Sequence, residues 1–212
     1  VTAKFRDALS VPVVTSNRIN TPEVAEDVLS RGDADLVSMA RPFLADSAFM
    51  EKAYEGRSDE INTCIACNQA CLDHVFTGRM TSCLVNPRAC HETELNLTAT
   101  DSPKRISVIG AGPAGLAFSV AAAERGHQVS LYDAASEIGG QFNIAKQIPG
   151  KEEFHETLRY YRRQLELRNI DVKLNHTVSV DELNNSDANA VIIATGITPR
   201  TPAIEGIEHD KV

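Results

Sequence analysis

The residues best suited to chemistry in this chain are four cysteines. Three lie in Cys64-Ile-Ala-Cys67-Asn-Gln-Ala-Cys71 and the fourth in Thr-Ser-Cys83-Leu-Val-Asn-Pro. Their spacing, C-x2-C-x3-C-x11-C, puts three thiolates in one loop and brings back a fourth after about one further element. A cuboidal iron–sulfur cluster needs that supply, one sulfur per iron corner. Structural zinc sites usually take two short-spaced chelating pairs, so a triple plus a lone cysteine fits the cluster better, with zinc the nearest alternative. The five cysteines are an odd number. With no apolar signal segment at the start, they argue against a disulfide framework and for a reducing, cytoplasmic setting. The fifth, Cys90, is expected to be a small buried hydrophobe. Asn68 and Gln69 either hydrogen-bond cluster sulfurs or are ordinary loop residues, and His74 and His91 are expected to face solvent.

A second constellation is Gly110-Ala-Gly112-Pro-Ala-Gly115, directly after the strand-like Arg105-Ile-Ser-Val-Ile109 and ahead of an apolar helix. Alone, G-x-G-x-x-G is weak; between a strand and a helix it reads as a dinucleotide fingerprint. Gly110 permits the tight turn, Gly112 lets backbone approach a pyrophosphate, and Gly115 lets the helix pack on the sheet. The phosphates then meet the helix N-terminus. Asp133 closes the next strand, 23 residues after Gly110, and is placed to accept from a ribose diol, which favours FAD or NAD over NADP. Gly139-Gly140-Gln141 offers a second loop toward the ligand, and Thr195-Gly196 ends a strand on the same side. The chain carries only one such fingerprint. A third pair, Arg18 and Arg41, stands just after two strand-like runs, where a parallel sheet would bring them to one face and a phosphate. Their alternative is two solvated loop arginines.

These residues require an α/β scaffold. Val11–Thr15 and Asp35–Met39 read as strands, and the first residues as nearly strand-like. Thr21 caps a helix with Pro22 and Glu23 in its first turn and Gly32 at its end. Asp46 caps another that runs to Gly56. This strand–helix order suits the C-terminal end of a (βα)8 barrel. Residues 61–102 are loop-rich and would be tied by the cluster. From 103 the pattern is a Rossmann-like half-domain, with a helix over Lys151–Arg168 whose stripe is Phe154, Leu158, Tyr161 and Leu165. The division is therefore 1–60, 61–102 and 103–212. Its 42% apolar content supports a core, and a net charge of −8 with dispersed basic residues argues against nucleic acid. No apolar run spans a bilayer. An abrupt start at Val1 and an end without helix or strand over 207–212 suit a piece of a longer protein.

In this order the motifs resemble the NADPH-dependent 2,4-dienoyl-CoA reductases, old-yellow-enzyme-like iron–sulfur flavoproteins related to trimethylamine and histamine dehydrogenases. The resemblance rests on Ser16-Asn-Arg18, Ser38-Met-Ala-Arg41-Pro-Phe, the cysteine spacing, Cys83-Leu-Val-Asn-Pro-Arg-Ala-Cys90, the glycine turn, Glu137-Ile-Gly-Gly-Gln141-Phe-Asn and Ile193-Ala-Thr-Gly196. It implies that Arg18 and Arg41, with Ala40 beside them, hold FMN, and that Cys64, Cys67, Cys71 and Cys83 bind a [4Fe-4S] cluster. It also implies that Gly112, Ala114, Asp133, Gln141 and Val178 surround FAD. NADPH would be the co-substrate and an unsaturated acyl-CoA the substrate, in fatty acid oxidation. The family's proton donor and acyl-CoA pocket match nothing here, so these residues hold no catalytic group and are expected to give no turnover alone. The alternatives are an amine dehydrogenase of the same family, an FAD/iron–sulfur electron-transfer module serving a partner protein, and a zinc-stapled nucleotide-binding domain.

Overall fold

The computed structural model describes residues 1–198 and 200–210. The first segment runs α1 (Thr2–Ala8), β1 (Val14–Ser16), α2 (Pro22–Ser30), β2 (Leu36–Ser38), α3 (Arg41–Ala45) and α4 (Phe49–Tyr54). The two strands pair in parallel from Val14↔Leu36 to Ser16↔Ser38. Thr21 Oγ1 accepts the Val24 N–H at the start of α2, Pro22 opens that helix, and Gly32 leaves it at φ 72°. Asp46 Oδ1 accepts the Ala48 N–H before α4, and Gly56 follows at φ 71°.

Two local expectations fail here. Residues Thr2–Ala8 are helical, not strand-like. Ala3, Lys4 and Arg6 are good helix formers, and Arg6 Nε donates to Asp35 Oδ1 at 3.1 Å, tying the helix to the loop before β2. Arg41-Pro42, expected as plain loop, opens α3, because proline suits a first helical turn.

A single 3-10 turn covers Ser58–Glu60, and α5 (Leu72–Phe76) is the one helix between there and Ser102 among the described residues. The third segment contains β3 (Arg105–Ile109), α6 (Pro113–Glu124), β4 (Gln128–Tyr132), α7 (Phe142–Ala145), α8 (Phe154–Leu167), β5 (Asp171–Lys173), α9 (Val180–Asn184) and β6 (Ala190–Ile193). Its sheet has the order β5-β4-β3-β6, all parallel. That is half of a dinucleotide-binding fold, with the first strand central. Ile106, Val108, Val129 and Leu131 point to one face and pack against Leu116 and Val120 of α6 and Leu165 of α8. Val108, Leu116 and Leu131 are fully buried there. The α/β architecture with parallel sheets is the one expected. Residues 200–210 form turns without helix or strand, and the last two residues of that expectation lie outside those described. No described helix is long and apolar enough to cross a membrane.

Candidate functional site

The glycine turn is built as its sequence requires. Gly110 sits at φ 111°, and a Cβ there would meet the Ala194 carbonyl oxygen at 2.3 Å. A Cβ on Gly115 would lie 1.8 Å from the Gly110 oxygen. One on Gly112 meets nothing within 4 Å, so that face of the turn opens on free space. Helix α6 has no side-chain cap at its N-terminus, and Ala114 stands exposed on its first turn. The amides of a 12-residue helix therefore face the same space.

The second glycine loop docks directly on the first. Gly139 N–H donates to the Ala111 carbonyl at 2.8 Å, and a Cβ on Gly140 would lie 3.0 Å from Gly112 Cα. Asp133 does more than its sequence position implies. Its Oδ2 accepts the Ala111 N–H at 2.6 Å and its Oδ1 the Ala135 N–H at 2.8 Å. A carboxylate offers about four acceptor sites, so two remain for a ribose. Gln141 Nε2 donates to the Ile197 carbonyl at 3.3 Å, bridging to the loop that contains exposed Thr195 and Gly196. Val178 is half-buried just before α9.

In the cysteine segment Cys64 is buried, Cys67, Cys71 and Cys83 are half-buried, and Cys90 is exposed. Cys90 is therefore no core residue. The buried position is its neighbour Ala89, and Cys90 takes φ 64° with its N–H on Glu92. His74 and His91 are half-buried and paired, with Met80 O and Glu94 respectively, instead of freely solvated. Burial pushes the Cys64 thiol above its ordinary range. The Ala66 N–H and the charge of Arg41 pull the other way, and Cys67 and Cys71 reinforce the rise. Burial also raises Cys83, against the Val85 and Asn86 N–H groups, with Cys64 and Cys67 adding to it.

The four thiols thus share one electrostatic neighbourhood with backbone donors aimed at sulfur. Among the described residues, no group of three or more His, Cys, Asp or Glu is gathered as a single metal ion requires. A zinc ion with bonds of about 2.3 Å would draw its sulfurs to about 3.8 Å from one another. Four cysteines supply one sulfur for each iron corner of a cuboidal core, so the donor set has the chemistry that such a core requires.

The loop is held from both sides. Asn20, buried between β1 and α2, donates from Nδ2 to the Cys64 carbonyl at 3.2 Å. From the other side Arg159 of α8 donates to the carbonyls of Asp59 and Ile61 and to Thr63 Oγ1.

Arg18 and Arg41 do converge. They line one cleft of about 320 Å³ with Ser16, Asn17, Ser38 and Met39, and exposed Ala40 stands at its edge. Neither is a free solvated arginine. Arg18 is ion-paired with Glu153, the residue preceding α8. Arg41 donates from Nη1 to Asn68 Oδ1 at 2.8 Å and from Nη2 to Asn17 Oδ1 at 3.1 Å. Sequence reasoning missed the partners of Asn17, Asn20, Glu153 and Arg159. The one available signal was asparagine in a loop, since Asn17 and Asn68 both take left-handed backbone, which asparagine tolerates best after glycine.

Residues 104–212 match the pyridine nucleotide-disulphide oxidoreductase family, and residues 1–60 match the NADH:flavin oxidoreductase / NADH oxidase family. The chain belongs to the pyridine nucleotide-disulphide oxidoreductases. It joins that domain to an old-yellow-enzyme-like flavin oxidoreductase segment. A metal reductase of Desulforamulus reducens is 42% identical over 98% of the chain and 32% of its own length. A 2-naphthoyl-CoA reductase, solved as a complex with 2-naphthoyl-CoA, superposes with a TM-score of 0.90 at 35% identity, over 97% of this chain and 32% of that one. Histamine dehydrogenase from Rhizobium sp. 4-9 superposes at 0.86 and 28% identity, over 96% and 30%. The chain thus spans about a third of the relatives it matches. These oxidoreductase families bind FAD and FMN, with [4Fe-4S] clusters in amine-dehydrogenase-like relatives. In this pyridine nucleotide-disulphide oxidoreductase domain, the open face at Gly112 and the spare acceptors of Asp133 fit a dinucleotide.

Proposed function

We propose that these residues are the relay segment of an NADPH-dependent 2,4-dienoyl-CoA reductase. In this reading 1–60 end an FMN-binding barrel, 61–102 hold the cluster, and 103–212 begin the FAD-binding domain. When bound, the cluster supplies one-electron transfer between two flavins that each handle electron pairs. The chain's own residues hold that arrangement in place. Cys64, Cys67, Cys71 and Cys83 present sulfur; Gly110, Gly112, Ala114, Gly115, Asp133, Gly140, Gln141, Val178, Thr195 and Gly196 surround FAD; Arg18, Ala40 and Arg41 bind the FMN phosphate.

The observation that carries the reading is the position of the cysteine loop, hydrogen-bonded by Arg41 on the side of the arginine cleft, with the chain leading into it braced by Arg159 of α8. A thioester substrate draws support from the naphthoyl-CoA reductase likeness. Amine oxidation is the second reading, supported by the histamine dehydrogenase likeness. The full-length protein, purified without oxygen in its cytoplasmic form, decides between them. About four irons and four sulfides per chain, with NADPH oxidised on addition of a 2,4-dienoyl-CoA, support the reductase. Turnover with amines and no NADPH oxidation would replace it by the dehydrogenase, and one zinc per chain would remove the relay.

A further inference from the structure

Arg41 reaches two loops at once. Its guanidinium fork holds Asn17 Oδ1, at the mouth of the arginine cleft, and Asn68 Oδ1, between Cys67 and Cys71. The two asparagines are alike in backbone, with φ 75° and 61°. Left-handed backbone frees each short amide to point at a neighbour across the loop, and a planar guanidinium with five donors and no acceptor is shaped to receive two such oxygens. No other side-chain hydrogen bond among the described residues joins the cleft-lining side chains to the stretch between Cys67 and Cys71.

We propose that Asn68 is a positioning residue that couples flavin loading in the cleft to the redox poise of the cysteine loop through Arg41. A phosphate arriving in the cleft shares the remaining Arg41 donors and brings negative charge to a group already bonded to Asn68. Part of the positive field that Arg41 exerts on the loop is then cancelled. Less positive field makes an added electron less welcome, so loading FMN moves the cluster to a more negative midpoint potential. Reciprocity requires that reduction of the cluster weaken FMN binding to the same degree.

The inference rests on the proposed cluster and FMN sites. Iron, sulfide and flavin content of the wild-type protein test those sites, and a potential shift tests the coupling. In the full-length protein, FMN is removed and restored while the cluster is titrated by EPR-monitored reduction. Wild type is expected to shift negatively on FMN binding. Asn68→Gly keeps the left-handed backbone and deletes the acceptor, so iron and sulfide stay while the shift falls to less than half and FMN binds about tenfold more weakly. Asn68→Asp puts a carboxylate on Arg41 and cancels part of its field in advance, so its flavin-free potential should lie negative of wild type and its shift on FMN binding should be smaller. A wild-type potential indifferent to FMN overturns the proposal without any variant. An Asn68→Gly protein with the full shift overturns it equally.

Discussion

Arg159 offers the sharpest test of how the third segment holds the cysteine loop. Its guanidinium serves three acceptors on the chain leading into Cys64, the carbonyls of Asp59 and Ile61 and the hydroxyl of Thr63. Ile61 and Thr63 are 1% and 2% exposed, so water cannot replace the donor at either. Replacement by methionine keeps most of the stem's packing and orphans both buried acceptors. Each orphaned group costs about 1–3 kcal/mol, and a working figure for the pair is about 3 kcal/mol, since some relaxation follows. That raises local opening about a hundredfold. Hydrogen–deuterium exchange of the full-length protein reads it directly, with residues 59–65 as the test and the β3–β4 sheet as internal control. Arg159→Met should accelerate the test segment about a hundredfold and leave the control unchanged. Arg159→Lys, whose single ammonium reaches fewer acceptors, should fall between. A test segment that exchanges within threefold of wild type in Arg159→Met would show that Arg159 rests on the loop without bracing it.

The glycines separate packing from binding. Gly115→Ala puts a methyl 1.8 Å from a carbonyl oxygen and should lose both thermal stability and FAD. Gly112→Ala enters open space, so the flavin-free protein should melt normally while FAD content drops; equal melting losses in the two variants refute the assignment. Cys83→Ser should lose iron measured by colorimetric assay, whereas exposed Cys90→Ser should retain it. Burial, with a contribution from Tyr161, pushes the Tyr160 phenol up to about 12. An unfolded phenol ionises near 10, so the unfolded chain loses protons first and stability declines as pH rises from about 10 through about 12. Denaturant midpoints across that window should fall less steeply in Tyr160→Phe.

What the sequence could reveal follows from which contacts leave a periodic trace. The glycine turn was legible because small residues at fixed spacing answer to close approaches, and the structure realises them at Gly110 and Gly115 while the Gly112 face opens on space. The apolar stripe of α8 was legible for the same kind of reason: Leu158 and Leu165 repeat at helical spacing and both are buried, Leu165 in the sheet core and Leu158 beside Gly139. The opposite face of that helix carries equal structural weight and left no trace. Glu153 and Arg163 read in sequence only as helix-end charges that suit the macrodipole, yet with Arg159 they reach Arg18, Asp59 and Ile61 in segments about a hundred residues away. A polar side chain's role depends on what the fold brings opposite it, and that partner lies outside any local window. Cys90 shows the converse error. Cysteine is often buried, but here the chain turned through a left-handed residue and buried Ala89 instead. Helix α8 is therefore best understood as a strut with two faces, one set by hydrophobic period and the other by charge pairing. Any change that slides this helix along its axis should disturb the cysteine loop before it disturbs the sheet, because the sheet tolerates small shifts of an apolar stripe and a guanidinium bonded to fixed oxygens does not.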